Sequence, residues 1–115
     1  MKKPQTTAPD DNQKARVLKI AERVNYQAGS IVSRELINQK TGSVTVFAFD
    51  EGQRLSEHTA PFDALVIGLE GEMEVFIAGQ PNRIDKDDMI IMPAGIPHGI
   101  KSLGPSKMLL IMIKT

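Results

Sequence analysis

No cysteine occurs among the 115 residues, which removes disulfide frameworks, thiolate metal sites and cysteine nucleophiles together and leaves the redox compartment open. Charge of one sign is not in excess either, since 14 lysines and arginines balance 14 aspartates and glutamates. That balance gives no electrostatic reason to expect nucleic acid or an anionic membrane surface as partner. Long hydrophobic runs are missing too. The longest, Met108 to Ile113, falls far short of the roughly 20 residues that a membrane-spanning helix needs. The opening MKKPQTTAPDDNQK lacks the apolar region of a secretory signal, so a soluble, cytoplasmic protein is expected. No internal repeat and no low-complexity tract beyond the first residues occurs. The length suits one domain able to bury a continuous core without cross-links.

What is present reads mainly as strand and turn. Residues 1–13 carry little apolar area to offset the entropy of ordering, and a flexible tail is expected there, with the folded domain spanning 14–115. Val17, Leu18, Ala21 and Val24 recur at spacings that predict a short amphipathic helix starting near Asp11 or Asn12. After it, Ser30 to Ile37 and Ser43 to Phe49, rich in β-branched and aromatic residues, predict a hairpin around Gln39 to Gly42. Ala64 to Leu69 and Glu72 to Ile77 flank Gly71. In the second of these, Glu72 and Glu74 alternate with Met73, Val75 and Ile77, which places carboxylates in water and apolar groups inward. Further short strands are expected at Asn82 to Ile84, Met89 to Met92 and Lys107 to Ile113. The last is apolar on both faces, so one face should meet the interior and the other a second sheet or a partner subunit. Short strands punctuated by glycine and proline predict an all-β sandwich or barrel of the jelly-roll type.

Only two histidines are present, and both lie in segments of distinctive spacing. Gly52 to Gly71 reads GQRLSEHTAPFDALVIGLEG, and Asp87 to His98 reads DDMIIMPAGIPH. These resemble the paired motifs of the cupin superfamily, G-x5-H-x-H-x3,4-E-x6-G and G-x5-P-x-G-x2-H-x3-N. Gly52, His58 and Gly71 match the first in order and spacing, and Pro93, Gly95 and His98 match the second. Asp87 stands where the second motif opens on glycine, and Ser102 where it closes on asparagine. The resemblance, over about Ile31 to Ile113, implies a small single-domain bacterial cupin: a jelly-roll barrel with a short N-terminal helix. Carried over residue by residue, the family's metal ligands fall on His58, Ala60, Ala64 and His98. Two of the four positions hold alanine, so the resemblance implies a degenerate metal site.

His58 and His98 alone fall one ligand short of catalytic zinc, which keeps three protein ligands, and of the two-histidine, one-carboxylate iron site. Side chains two apart on a strand point the same way, so His58 and Ala60 are expected to share the cavity face. Asp63 is the carboxylate nearest the missing position, but strand parity turns it to the opposite face. A bulge or turn over Ala60 to Phe62 would let it swing inward to His58 or to a metal; otherwise it caps the turn through backbone amides. Each histidine is either a cavity-lining ring bonded to carbonyls and water or a ligand-contacting group able to exchange protons near neutral pH. Met73, Met89, Met92, Met108 and Met112 either pack the core or line an adaptable pocket. Glu70, Glu72 and Glu74 read as a solvated face. Three functions follow. The leading one is a homodimeric cupin that binds a small molecule through His58, Asp63 and His98 without assured catalysis. The second is a metal-dependent oxygenase or isomerase holding Fe, Mn, Ni or Zn on His58, His98 and a recruited carboxylate. The third is a sensor or accessory module of another protein.

Overall fold

The computed structural model describes residues 5–115. Among the described residues ten strands form two sheets: β1 (Gln5–Thr7), β2 (Ile31–Gln39), β3 (Gly42–Phe49), β4 (Arg54–His58), β5 (Ala64–Glu70), β6 (Met73–Ile77), β7 (Gln80–Ile84), β8 (Met89–Met92), β9 (His98–Ser102) and β10 (Ser106–Ile113). The six-stranded sheet runs β1-β2-β3-β10-β5-β8 and the four-stranded sheet β4-β9-β6-β7. Every pairing is antiparallel except β1 on β2. The chain is a jelly-roll barrel, as the strand and turn pattern predicts.

Period-two alternation decides which side chains fill it. On β10, Ser106 and Met108 are buried and Leu110 and Met112 follow them inward. Opposite them on the six-stranded sheet stand Phe49, Phe47, Gly68, Val66 and Ala64. The four-stranded sheet contributes Met73, Val75, Ile84 and Ile100 to the same cluster. Both sheets thus share one continuous core, with the Phe47 and Phe49 rings stacked at 5.9 Å between centroids. Gly71 closes the tight turn between β5 and β6. Its φ of +71° suits glycine, and a Cβ there would stand 2.1 Å from the Pro105 carbonyl oxygen, so no other residue fits without moving backbone.

The N-terminal segment departs from expectation. Where an amphipathic helix is predicted, the chain makes two 3₁₀ turns, Asp11–Gln13 and Ile20–Arg23. Ala15 lies between them at φ +58°, which breaks any continuous right-handed helix. Val17 is fully exposed, while Val24 packs on Val46 and Ala48 of the outer face. Of the segment expected as a tail, Gln5–Thr7 pair with Val32 to Arg34 as an edge strand, and residues 1–4 lie outside the described residues. Two charged side chains hold the covering segment down. Lys107 Nζ donates to the Ala21 carbonyl at 2.6 Å and Arg34 Nε to the Arg23 carbonyl at 2.7 Å. No helix among the described residues is long and apolar enough to cross a membrane.

Candidate functional site at the barrel mouth

Two loops define one end of the barrel. Residues 59–63 carry the chain from the end of β4 to the start of β5, and residues 93–97 carry it from β8 to β9. Each therefore crosses from one sheet to the other at that end. The register sets His58 opposite His98 and His98 opposite Ile77 on the four-stranded sheet. On the six-stranded sheet it sets Met112, Ala64 and Met92 in one row. The mouth is thus a ring of aliphatic and thioether side chains interrupted by two imidazoles.

His58 reaches this position through a bulge. Between Leu55 and His58, β4 spends two residues, Ser56 and Glu57, against one, Gly99, on β9, which re-aims a side chain, as bulges do. Gly99 permits it, because a Cβ there would meet the Leu55 carbonyl at 3.0 Å and the Glu57 amide at 3.2 Å. The two rings lie 4.5 Å apart between centroids and are inclined by 71°, edge to face. His98 is buried at 3% exposure, whereas His58 is open to solvent. In both, Nδ1 lies near the carbonyl two residues earlier, Ser56 at 3.0 Å and Ile96 at 3.3 Å. A carbonyl only accepts, so Nδ1 carries the proton in the neutral ring and Nε2 keeps its lone pair. Burial, reinforced by the charge of His58, pushes the His98 pKa below its ordinary 6.5, with the Ile96 bond opposing. His98 is a neutral hydrogen-bond acceptor at neutral pH.

Asp63 does not join them. It sits in the loop just before β5, and its Oδ1 accepts from the Ala94 amide at 2.8 Å. The Gly95 amide donates to the Ala60 carbonyl, also at 2.8 Å. The 59–63 and 93–97 loops are stitched together at two points, and a third bond, Ala78 amide to Pro97 carbonyl at 2.8 Å, fixes the second loop to β6. Asp63 follows the backbone-capping alternative of the sequence reading, across two loops instead of within one turn. The parity argument for Ala60 also lapses, because β4 ends at His58 and Ala60 lies in the loop.

A metal is the group the fold family suggests for this end. Two neutral Nε2 atoms can hold an ion only with further ligands. Ala60 and Ala64 supply none, and among the described residues no group of three or more histidine, cysteine or acidic side chains is placed to bind a cation. The residues present do not fit a complete cupin metal centre. Beside Met112 and the inward-facing Ile77, which the sequence pattern already offered, the ring holds Leu55, Ile90 and Leu110, which sequence reasoning missed; all are partly buried against the core. Their alternation was the available signal. The methionines divide, with Met73, Met92 and Met108 in the core, Met112 at the mouth and Met89 on the outer surface.

Comparison with known proteins agrees with this architecture. Residues 45–114 match the model of the cupin domain family, and the chain belongs to that family. It is similar to a conserved protein of unknown function from Streptococcus pyogenes at 32% identity, over 95% of this chain and 96% of that one, with a TM-score of 0.87. A cupin 2 conserved barrel domain protein from Leptotrichia buccalis is 40% identical over 82% of this chain, TM-score 0.79; the match spans 46% of that longer protein. A cupin superfamily protein from Desulfitobacterium hafniense is 25% identical over 89% of this chain and 94% of that one, TM-score 0.84. No curated protein matches.

Proposed function

We propose that this cupin binds a small, largely apolar molecule at the barrel mouth, with the Nε2 atoms of His98 and His58 accepting hydrogen bonds from its polar end. The carrying observation is the buried His98 ring 4.5 Å from His58 inside an aliphatic rim whose loops are already tied together. A pre-tied rim loses little entropy when a ligand arrives, and a few fixed polar groups in an apolar cup are what orient a small ligand. Phenol serves as a probe, with one donor on an apolar body. It should shift the methyl resonances of Ile77, Leu110 and Met112 together with the His98 ring; shifts confined to the outer-surface Met89 and Ile91 would sink the proposal. The metal-dependent oxygenase or isomerase reading draws support from the convergence of the two imidazoles. Elemental analysis of tag-free protein separates the two: near-stoichiometric Fe, Mn, Ni or Zn that disappears in His58→Ala would favour the enzyme.

A homodimer belongs to the same proposal. Ile37, Val44, Ile111, Leu65 and Ile91 form one cross-strand row on the outer face of the six-stranded sheet. Ile37 and Ile91 are 52% and 53% exposed, and the adjacent Met89 56%. Such a band is what a second copy would cover. Light scattering should return twice the chain mass, and Ile111→Asp should halve it; a folded wild-type monomer at micromolar concentration would refute the dimer.

A further inference from the structure

Away from the mouth, the N-terminal segment leaves a pocket of about 310 Å³ against β1 and β2, lined by Arg23 and Arg34 together with Thr7, Asn25, Tyr26 and Gln27. The chain as a whole is neutral, yet no aspartate or glutamate among the described residues lines this pocket. Neither guanidinium has a carboxylate within ion-pair distance among the described residues. Arg34 is half-buried and uses only Nε within the protein, on the Arg23 carbonyl, so both of its Nη groups lack a partner among the described residues. Arg23 spends Nε and one Nη on the Gln13 amide oxygen. Glu70, the carboxylate bonded to the lining residue Tyr26, is taken up by that hydroxyl and by Lys107 Nζ at 3.9 Å. A larger neighbouring pocket of about 630 Å³ also touches Arg23, but its lining is of mixed charge, with Asp10 and Asp11 beside Lys14 and Arg16.

Guanidinium cannot shed its proton in a protein, so the charge of Arg34 persists at any working pH. A partly desolvated, unanswered guanidinium beside a second one is costly unless an anion completes it. The fork of donors matches two oxygens of one group, and the amides of Asn25 and Gln27 add neutral donors around it. We infer that the pocket between residues 23–27 and β2 is a binding site for a small oxyanion, a phosphate or a carboxylate group, read by Arg34 with Arg23 as the second positive charge. Because Thr7 of β1 lines the same space, a bound anion would also pin the first strand to the sheet. This site is separate from the barrel mouth and does not depend on what binds there.

Calorimetric titration with inorganic phosphate and, in parallel, with acetate tests it, each against sodium chloride at matched ionic strength. Saturable one-site binding of either is expected, and which of them binds distinguishes a phosphate from a carboxylate site. Arg34→Gln should weaken it about tenfold or more, the size expected for a bidentate charged pair. Lys101→Gln, on the other sheet, should leave it unchanged. Should Arg34→Gln fail to fold, amide shift mapping of the wild type replaces it, with movement expected at residues 23–27 and 32–34. Binding no better than chloride, equal binding in folded Arg34→Gln, or shifts that map elsewhere would overturn the site.

Discussion

The barrel has two ends built on opposite principles. At the closed end, where the turns after β5 and β9 lie, Ile31, Phe49, Met73 and Met108 are at most 1% exposed and the space between the sheets is filled. At the mouth the inward positions continue along the same strands, but Leu110, Met112, Ile77 and Leu55 are only partly buried. The same alternation therefore yields a fully buried core at one end and, at the other, inward aliphatic side chains that are only partly covered. Packing supplies the stability at the closed end. At the mouth, hydrogen bonds between two loops supply the shape, which leaves the side chains there free to meet something else.

Truncating the core at each end measures that difference. Phe49→Ala should cost about 3–5 kcal/mol, the range for a buried aromatic whose cavity cannot collapse. Leu110→Ala should cost only about 1–2 kcal/mol, because part of its surface already faces solvent and water can enter the gap. Urea titrations with unchanged m-values read both. Equal costs would mean that the mouth is packed as tightly as the base, and the division of labour would fail.

A smaller effect isolates the loops. Asp63→Ala should cost about 1 kcal/mol, near the middle of the range for one hydrogen bond, and should speed hydrogen exchange at the Ala94 amide while leaving the base untouched. Asp63→Asn keeps an acceptor and should recover most of the loss. Since Asp63 touches neither ring, the His98 titration should stay in place in both variants. A shifted His98 titration would return Asp63 to the histidine pair and contradict the separation between rim and site.

Much of this was legible from local pattern. The β2–β3 hairpin, the strands on either side of Gly71, the doubly apolar β10 and the two histidine loops all announce themselves through alternation and turn residues. What escaped depends on contacts distant in sequence. The bulge that seats His58 is set by Gly99 on another strand, and the partner of Asp63 lies 31 residues away. The strand at Gln5–Thr7 exists only because β2 offers an open edge. The failed helix has a different cause: its apolar spacing is genuine, but one residue of positive φ at Ala15 lets each short turn pack separately.

The smallest effect concerns protons at the mouth. His98 is held below its ordinary pKa of 6.5 by burial and by the charge of His58, so on acidification the unfolded chain takes up this proton before the folded one does. Stability then rises with pH wherever the unfolded state holds more protons. The contribution is intact above about pH 6.5 and declines as pH falls from there to the depressed folded value, below which it changes no further. Most carboxylates titrate nearer pH 4, so the upper part of this window belongs chiefly to His98. Urea midpoints at pH 7.5, 6.5 and 5.5 should fall for the wild type and stay nearly level for His98→Gln. His58→Gln removes the neighbouring charge and should give an intermediate slope. The closed end holds no titrating imidazole, so Phe49→Ala should keep the wild-type slope on a lower baseline. A wild-type slope retained in His98→Gln would place the pH response outside the mouth and detach it from the buried ring.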